Sequence, residues 1–295
     1  MKKSILLLLT LSLFLTAASA AWAQTQAMTG PPKVIQIFIE QVKPGKGAAH
    51  EKNESGWPRA FASAKSPTHY IAMVSQTGPS EAWFITGFDS LAAWEKDTKS
   101  NEKNVALTVT TDQLSEKDGE FLSGVRSIVA RYRDELSYRA AGINIWQDRY
   151  FYMTTARVRP GHGNEFIEAN KIYRDAHEKA NIPESWAVFQ VEAGLPAGTY
   201  LTFQPLKSVA EVDAFPETHG KAYQDAIGDE GRKKLRELNS ASTLSLENTI
   251  FAFNPKMSYV SKEMVGADAD FWMPKPTSKP APAATKEGEK PNAKP

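Results

Sequence analysis

Glu40 and His50 are the residues from which chemistry could start. Glu40 stands near the end of an apolar, β-prone run that begins at Val34. A carboxylate there could act as a general base or hold a polar ligand. A solvated strand end or a structural ion pair would leave the same trace. His50 and, further along, His177 lie in helix-like segments. An imidazole titrates near neutrality and could serve as acid, base or haem ligand, or sit at the margin of an amphipathic helix. Arg131 could pair with Glu40 or bind an anion, or be an exposed edge arginine. Metal binding has no support in the histidine spacing, because His50, His69, His162, His177 and His219 form no HxH, HxxxH or HExxH pattern. His69 precedes a β run and could face a pocket mouth. No GxSxG, P-loop or GxGxxG pattern is present, and the chain has no cysteine, which removes disulfides and thiolate chemistry.

The elements that must position these groups occur twice. Val42-Lys43-Pro44-Gly45-Lys46-Gly47 matches Val158-Arg159-Pro160-Gly161-His162-Gly163, 116 residues on. β runs precede both turns, at 34–39 and 150–155, and helix-like segments follow, at 48–64 and 164–180. Pro58 should kink or delay the first of these helices. β runs then start at Tyr70 and Trp186, hairpin strands at 82–86 and 199–203, helices at Ser90 and Ser208, and final β runs at 130–138 and 251–259. The segment 99–124 has no clear assignment, since Thr108-Val109-Thr110-Thr111 is β-prone. At the same offset His50 matches Phe166, Phe61 matches His177 and Trp57 matches Tyr173, so each first helix carries one histidine among large rings. Trp83 and Tyr200 take matching hairpin positions as pocket walls or core. Alternation puts Ile35, Ile37 and Ile39 on one face, expected under the helices, and Gln36, Phe38 and Glu40 on the other, expected inside a barrel. Tyr152 is on the second of these faces in the later copy. The candidate catalytic residues are Glu40, His50 and His177. The candidate ligand-binding residues are Gln36, Glu40, Trp57, Trp83, Arg131, Tyr152, Tyr173, Trp186 and Tyr200.

The βαββαβ order, the V-[KR]-P-G-x-G turn and the hairpin resemble the dimeric α/β-barrel superfamily, nearest to NIPSNAP-like and antibiotic-biosynthesis-monooxygenase-like modules, over about residues 33–262. The resemblance implies an α+β fold: two tandem ferredoxin-like modules packed sheet to sheet as an α/β barrel within one chain. It also implies a site inside the barrel or between sheet and helices. It implies no particular reaction, because such folds host many.

The ends supply an address. Lys2 and Lys3, the apolar run 5–15 and the small residues at Ala20 and Ala23 form a secretory leader, cut after Ala23 or Ala20. Residues 1–23 are thus the signal peptide, 24–32 a lead-in, 33–140 and 141–265 the two modules, and 266–295 a Pro/Ala/Lys-rich disordered tail. The expected location is the periplasm or the cell exterior, with no membrane span after leader removal. The net charge of +1, from 35 basic and 34 acidic residues, gives nucleic acid nothing to hold. Three functions remain open: binding of a small apolar or aromatic ligand, a cofactor-independent oxygenase or haem-handling enzyme, and a structural or oligomerisation module. No cofactor is expected beyond the haem option, and the chain is expected to be a monomer or homodimer.

Overall fold

The computed structural model describes residues 30–273. The leader, and the part of the lead-in before Gly30, lie outside them. So does the tail beyond Met273.

The strands are β1 (Val34–Val42), β2 (Tyr70–Ser75), β3 (Glu81–Phe88), β4 (Leu122–Tyr132), β5 (Tyr150–Val158), β6 (Ala187–Ala193), β7 (Thr199–Leu206) and β8 (Thr243–Phe253). They close into one antiparallel barrel in the order β1-β3-β2-β8-β5-β7-β6-β4. Within 30–132 the strands run β4-β1-β3-β2, and within 150–253 they run β8-β5-β7-β6, so both halves use the same order. The helices lie outside: α1 (Gly47–Glu54), α2 (Gly56–Ser63), α3 (Leu91–Lys103) and α4 (Val105–Asp118) in the first half, then α5 (Gly163–Lys179), α6 (Ala210–Thr218) and α7 (Gly220–Ser242) in the second. Two short helices, α8 (Lys262–Ala267) and α9 (Ala269–Trp272), follow the barrel. No helix among the described residues is long and apolar enough to cross a membrane.

The repeated turn motif acts through its first glycine. Lys46 N–H donates to the Lys43 carbonyl and His162 N–H to the Arg159 carbonyl, each at 3.0 Å. Gly45 and Gly161 hold φ of 75° and 86°. Proline followed by a positive-φ glycine is the chemistry of a type II turn, and it launches α1 and α5 from matching strand ends.

A single apolar cluster with members from all eight strands fills the barrel, including Ile35, Ile37, Ile39, Met73, Trp83, Ile128, Met153, Leu201 and Phe251. The expected facing of β1 is therefore inverted. Ile35, Ile37 and Ile39 point into the barrel, while Gln36, Phe38 and Glu40 point out, as does Tyr152. Both faces of β1 bury apolar side chains, Val34 and Val42 outside and the isoleucines inside. Alternation separates two such faces without saying which is interior.

Other expectations shift as well. The final strands are Leu122–Tyr132 and Thr243–Phe253, earlier than 130–138 and 251–259. Tyr138 and Tyr259 make only isolated bridges, to Trp186 and Tyr70. The segment of unclear assignment is helical as far as Asp118, and the hydroxyls of Thr108, Thr110 and Thr111 donate to the carbonyls of Asn104, Ala106 and Leu107. That back-bonding keeps β-branched residues compatible with a helix. The first helix breaks at Ser55 into α1 and α2, just ahead of Pro58. Residues 266–272, expected in the tail, fall instead within or between α8 and α9, and Trp272 is buried with its indole N–H donating to the Trp146 carbonyl at 2.8 Å.

Candidate functional site

The two ends of the barrel differ. At one end Glu81 is buried, accepts from the Trp83 indole at 2.8 Å and lies 3.4 Å from the half-exposed Arg126 guanidinium. At the other end the bore opens into a cavity of about 570 Å³. Its floor is barrel interior: Ile35, Ile71, Ile85, Phe151, Phe189 and Phe203. Trp146 and Ile145, in the link between the halves, form one wall, and Val260 and Met264 form another. Polar groups gather at His69, Lys96, Asp97, Ser100, Asn144 and Glu263. Thr68 Oγ1 bonds to Asp97, and the His69 ring stacks on Tyr259 at 4.8 Å. Burial lowers the His69 pKa, and the Glu263 carboxylate opposes that shift. A largely apolar cavity of this size with a few polar groups is what a small-molecule site requires.

None of the ligand-binding residues expected from sequence lines this cavity except in the general sense foreseen for His69. Trp83 lies inside the barrel against Phe251, at 4.9 Å between ring centres. Tyr200 lies outside the barrel against Phe166, at 4.6 Å. These two are not equivalent: Trp83 pairs with Ile39, whereas Tyr200 pairs with Ala156. A one-residue error in the hairpin offset moves a side chain to the opposite face. Gln36 donates to Ser127 Oγ at 3.2 Å on the outer surface. Arg131 bonds Glu192, not Glu40.

Glu40 and His50 do meet, in a second place, between the outer face of β1 and the helices. His50 Nε2 and Glu40 Oε2 share a hydrogen bond of 2.6 Å, with both residues buried. Glu54, one helical turn beyond His50, and Asp118, at the end of α4, are buried with them. Glu54 Oε1, both Asp118 carboxylate oxygens and the Trp57 indole nitrogen have no hydrogen-bond partner. Among the described residues no lysine or arginine pairs with Glu40, Glu54 or Asp118. Burial raises the Glu40 pKa against the opposing pull of His50, and Asp118 adds to the rise. Burial, then a proton-sharing contact with Asp118 and the nearby Glu40 carboxylate, pushes Glu54 up to about 11, with the Trp57 indole opposing the rise. Sequence reasoning missed Glu54 and Asp118. The His50-x-x-x-Glu54 spacing, which stacks both side chains on one helix face, was the available signal.

His177, Tyr173 and Trp186 form a third group. His177 is fully buried, and its Nδ1 donates to the Tyr173 carbonyl at 2.9 Å. Its Nε2 lies 3.6 Å from Glu184, beyond hydrogen-bond reach. Tyr173, Trp186 and Tyr223 surround the ring at 4.3, 4.9 and 5.0 Å. This packing leaves no slot for a porphyrin beside His177. His50 is committed to Glu40, and His69 is stacked on Tyr259. These three imidazoles are thus engaged by protein partners, and only His69 borders an open cavity.

No protein-family model matches the chain, and no curated protein does. Among solved structures the chain is similar to a candidate monooxygenase from Fusobacterium nucleatum, with 11% identity, 75% of this chain and 91% of that one covered, and a TM-score of 0.49. It is similar to an anthrone oxidase-like protein, with 12% identity, 78% and 94% covered, and a TM-score of 0.46. A chlorite dismutase variant from Candidatus Nitrospira defluvii gives 11%, 83%, 99% and 0.46. No residue role carries over at these identities.

Proposed function

We propose that this protein binds one small apolar or aromatic molecule in the open end of its barrel. The observation that carries this reading is the cavity of about 570 Å³ with an isoleucine and phenylalanine floor. A ligand would set its apolar body on Ile35, Ile85 and Phe189 and turn a polar end toward Lys96, Asp97 or Ser100. Burying apolar ligand surface there yields roughly 25 cal/mol per Å² before ordering costs. Glu40, His50 and His177 do not line the cavity, so the oxygenase alternative has His69 as its one imidazole there. A purely structural module would have its bore filled at both ends.

The same reading extends to origin and address. The matched strand orders and turns support two ferredoxin-like modules fused in tandem, each of βαββαβ order. Closure within one chain supports a monomer, since no barrel edge is left for a second copy. A secretory leader at residues 1–23 would send the mature protein to the periplasm or outside the cell.

A fluorescence titration with N-phenyl-1-naphthylamine tests the site. Wild type should bind the probe saturably at one site, and Ile85→Trp, which fills the floor, should weaken binding at least tenfold. Equal binding by Ile85→Trp, or no saturable binding by wild type, would overturn the reading.

A further inference from the structure

We propose that Glu40, His50, Glu54 and Asp118 form a buried binding site for a divalent first-row transition-metal ion. Glu40, His50 and Glu54 each present one ligand atom, and those atoms lie within 4.8 Å of one another. Three elements deliver the four side chains: β1 brings Glu40, α1 brings His50 and Glu54, and α4 brings Asp118. The site is independent of the barrel-end cavity, whose lining includes none of these residues.

Two observations point to an absent cation. Glu54 is 2% exposed and Asp118 3%, and no N–H or hydroxyl donor reaches Glu54 Oε1 or either Asp118 oxygen, so these adjoining carboxyls are held together by a shared proton or by a cation. Buried polar atoms are almost always paired, and one left alone in a native fold calls for an unseen partner. Three carboxyl groups in one closed space, with no lysine or arginine joined to them among the described residues, stay there only if protons or a cation neutralise them. The second half shows that the fold itself does not require polar groups here. Ala156, Phe166 and Asn170 hold the positions of Glu40, His50 and Glu54, and Ala156 and Phe166 there are ordinary apolar core.

The donor set selects the ion. One imidazole with carboxylate oxygens suits zinc, manganese or ferrous iron better than calcium or magnesium, which prefer oxygen alone. The proton between His50 Nε2 and Glu40, and the one that neutralises Glu54, would leave to solvent as the metal takes their place, so binding should weaken as pH falls.

The test uses the full mature chain without a histidine tag, stripped with EDTA and dialysed free of it. Equilibrium dialysis against Zn²⁺ and, separately, Mn²⁺ should give one equivalent bound for at least one of the ions, with a higher melting temperature. His50→Phe and Glu54→Asn, which copy the second half, should each lower metal affinity at least tenfold and abolish the thermal shift. Probe binding at the barrel-end cavity reports whether each variant is folded. Should His50→Phe fail to fold, the nearly isosteric Glu54→Gln, which removes the charge and one oxygen ligand, decides the matter. Failure of wild type to bind either ion at micromolar concentration would overturn the proposal. So would undiminished binding in a folded variant.

Discussion

Beneath α1 the chain buries a histidine and three carboxylates, whereas beneath α5, at matched positions, it buries alanine and aromatic rings. Glu40 faces Ala82 and Val125 on its neighbouring strands, and Ala156 faces Tyr200 and Leu246. Phe166 fills the place of His50 and packs on Tyr200, within a cluster that includes Val158, Trp186 and Val188. The same sheet-and-helix frame thus closes over either a polar cluster or an apolar one. The polar version is chemistry added to the frame, and its demand for charge compensation is local to the first half.

Transplanting charge into the apolar half should have the largest effect. Ala156→Glu would bury a carboxylate under α5 with Phe166 where a histidine would be needed. Urea unfolding should show a loss of about 3–5 kcal/mol. A loss below about 1 kcal/mol would mean that the two interfaces differ less than their residues suggest. The reverse exchange should have a smaller effect of opposite sign. Glu40→Ala, His50→Phe and Glu54→Asn combined, measured without added metal, should raise stability by about 1–4 kcal/mol. A destabilised triple variant would mean that the polar cluster is a net asset to the fold even when no metal is present.

The smallest effect concerns a buried carboxylate between the halves. Burial raises the Asp148 pKa from 3.8 to about 6, Glu211 adds to the rise, and Lys207 and Arg149 oppose it. The folded state therefore binds this proton more tightly than the unfolded state does. Its stabilising contribution is complete below about pH 4 and is lost as pH rises through about 6. Melting temperatures of Asp148→Asn and wild type should separate across that window, with the variant gaining on wild type as pH rises. Parallel curves would show that Asp148 is ordinarily solvated.

How much of this was legible follows from which signals are local. The Pro-Gly turns, the first helices and the Ser90 cap are short-range patterns, and Ser90 does accept from the Ala93 N–H. Glu40 and His50 were legible as individual candidates because each is an unusual residue in its element. Their meeting was not, because Glu40 was assigned to the barrel interior. Beyond His69 the cavity left little signature: its lining comes from Gly30 to Met264 and consists mainly of residues that read as ordinary core. Asp118 ends a helix whose threonines pointed toward a strand.

The seams of the barrel carry a consequence for its breathing. Within each half, β1 pairs with β4 and β5 with β8 over nine positions each, but β2 meets β8 over three and β4 meets β6 over four, with a bulge. The β2–β8 seam is the shortest ladder of the barrel, and the bulged β4–β6 seam is matched in shortness only by β6–β7 within the second half. Amide protons at Met73–Ser75 and Val129–Tyr132 should exchange with deuterium through partial openings that leave β1 and β5 protected. A barrel hinged in this way can admit a guest by parting at a seam while each four-stranded sheet stays whole.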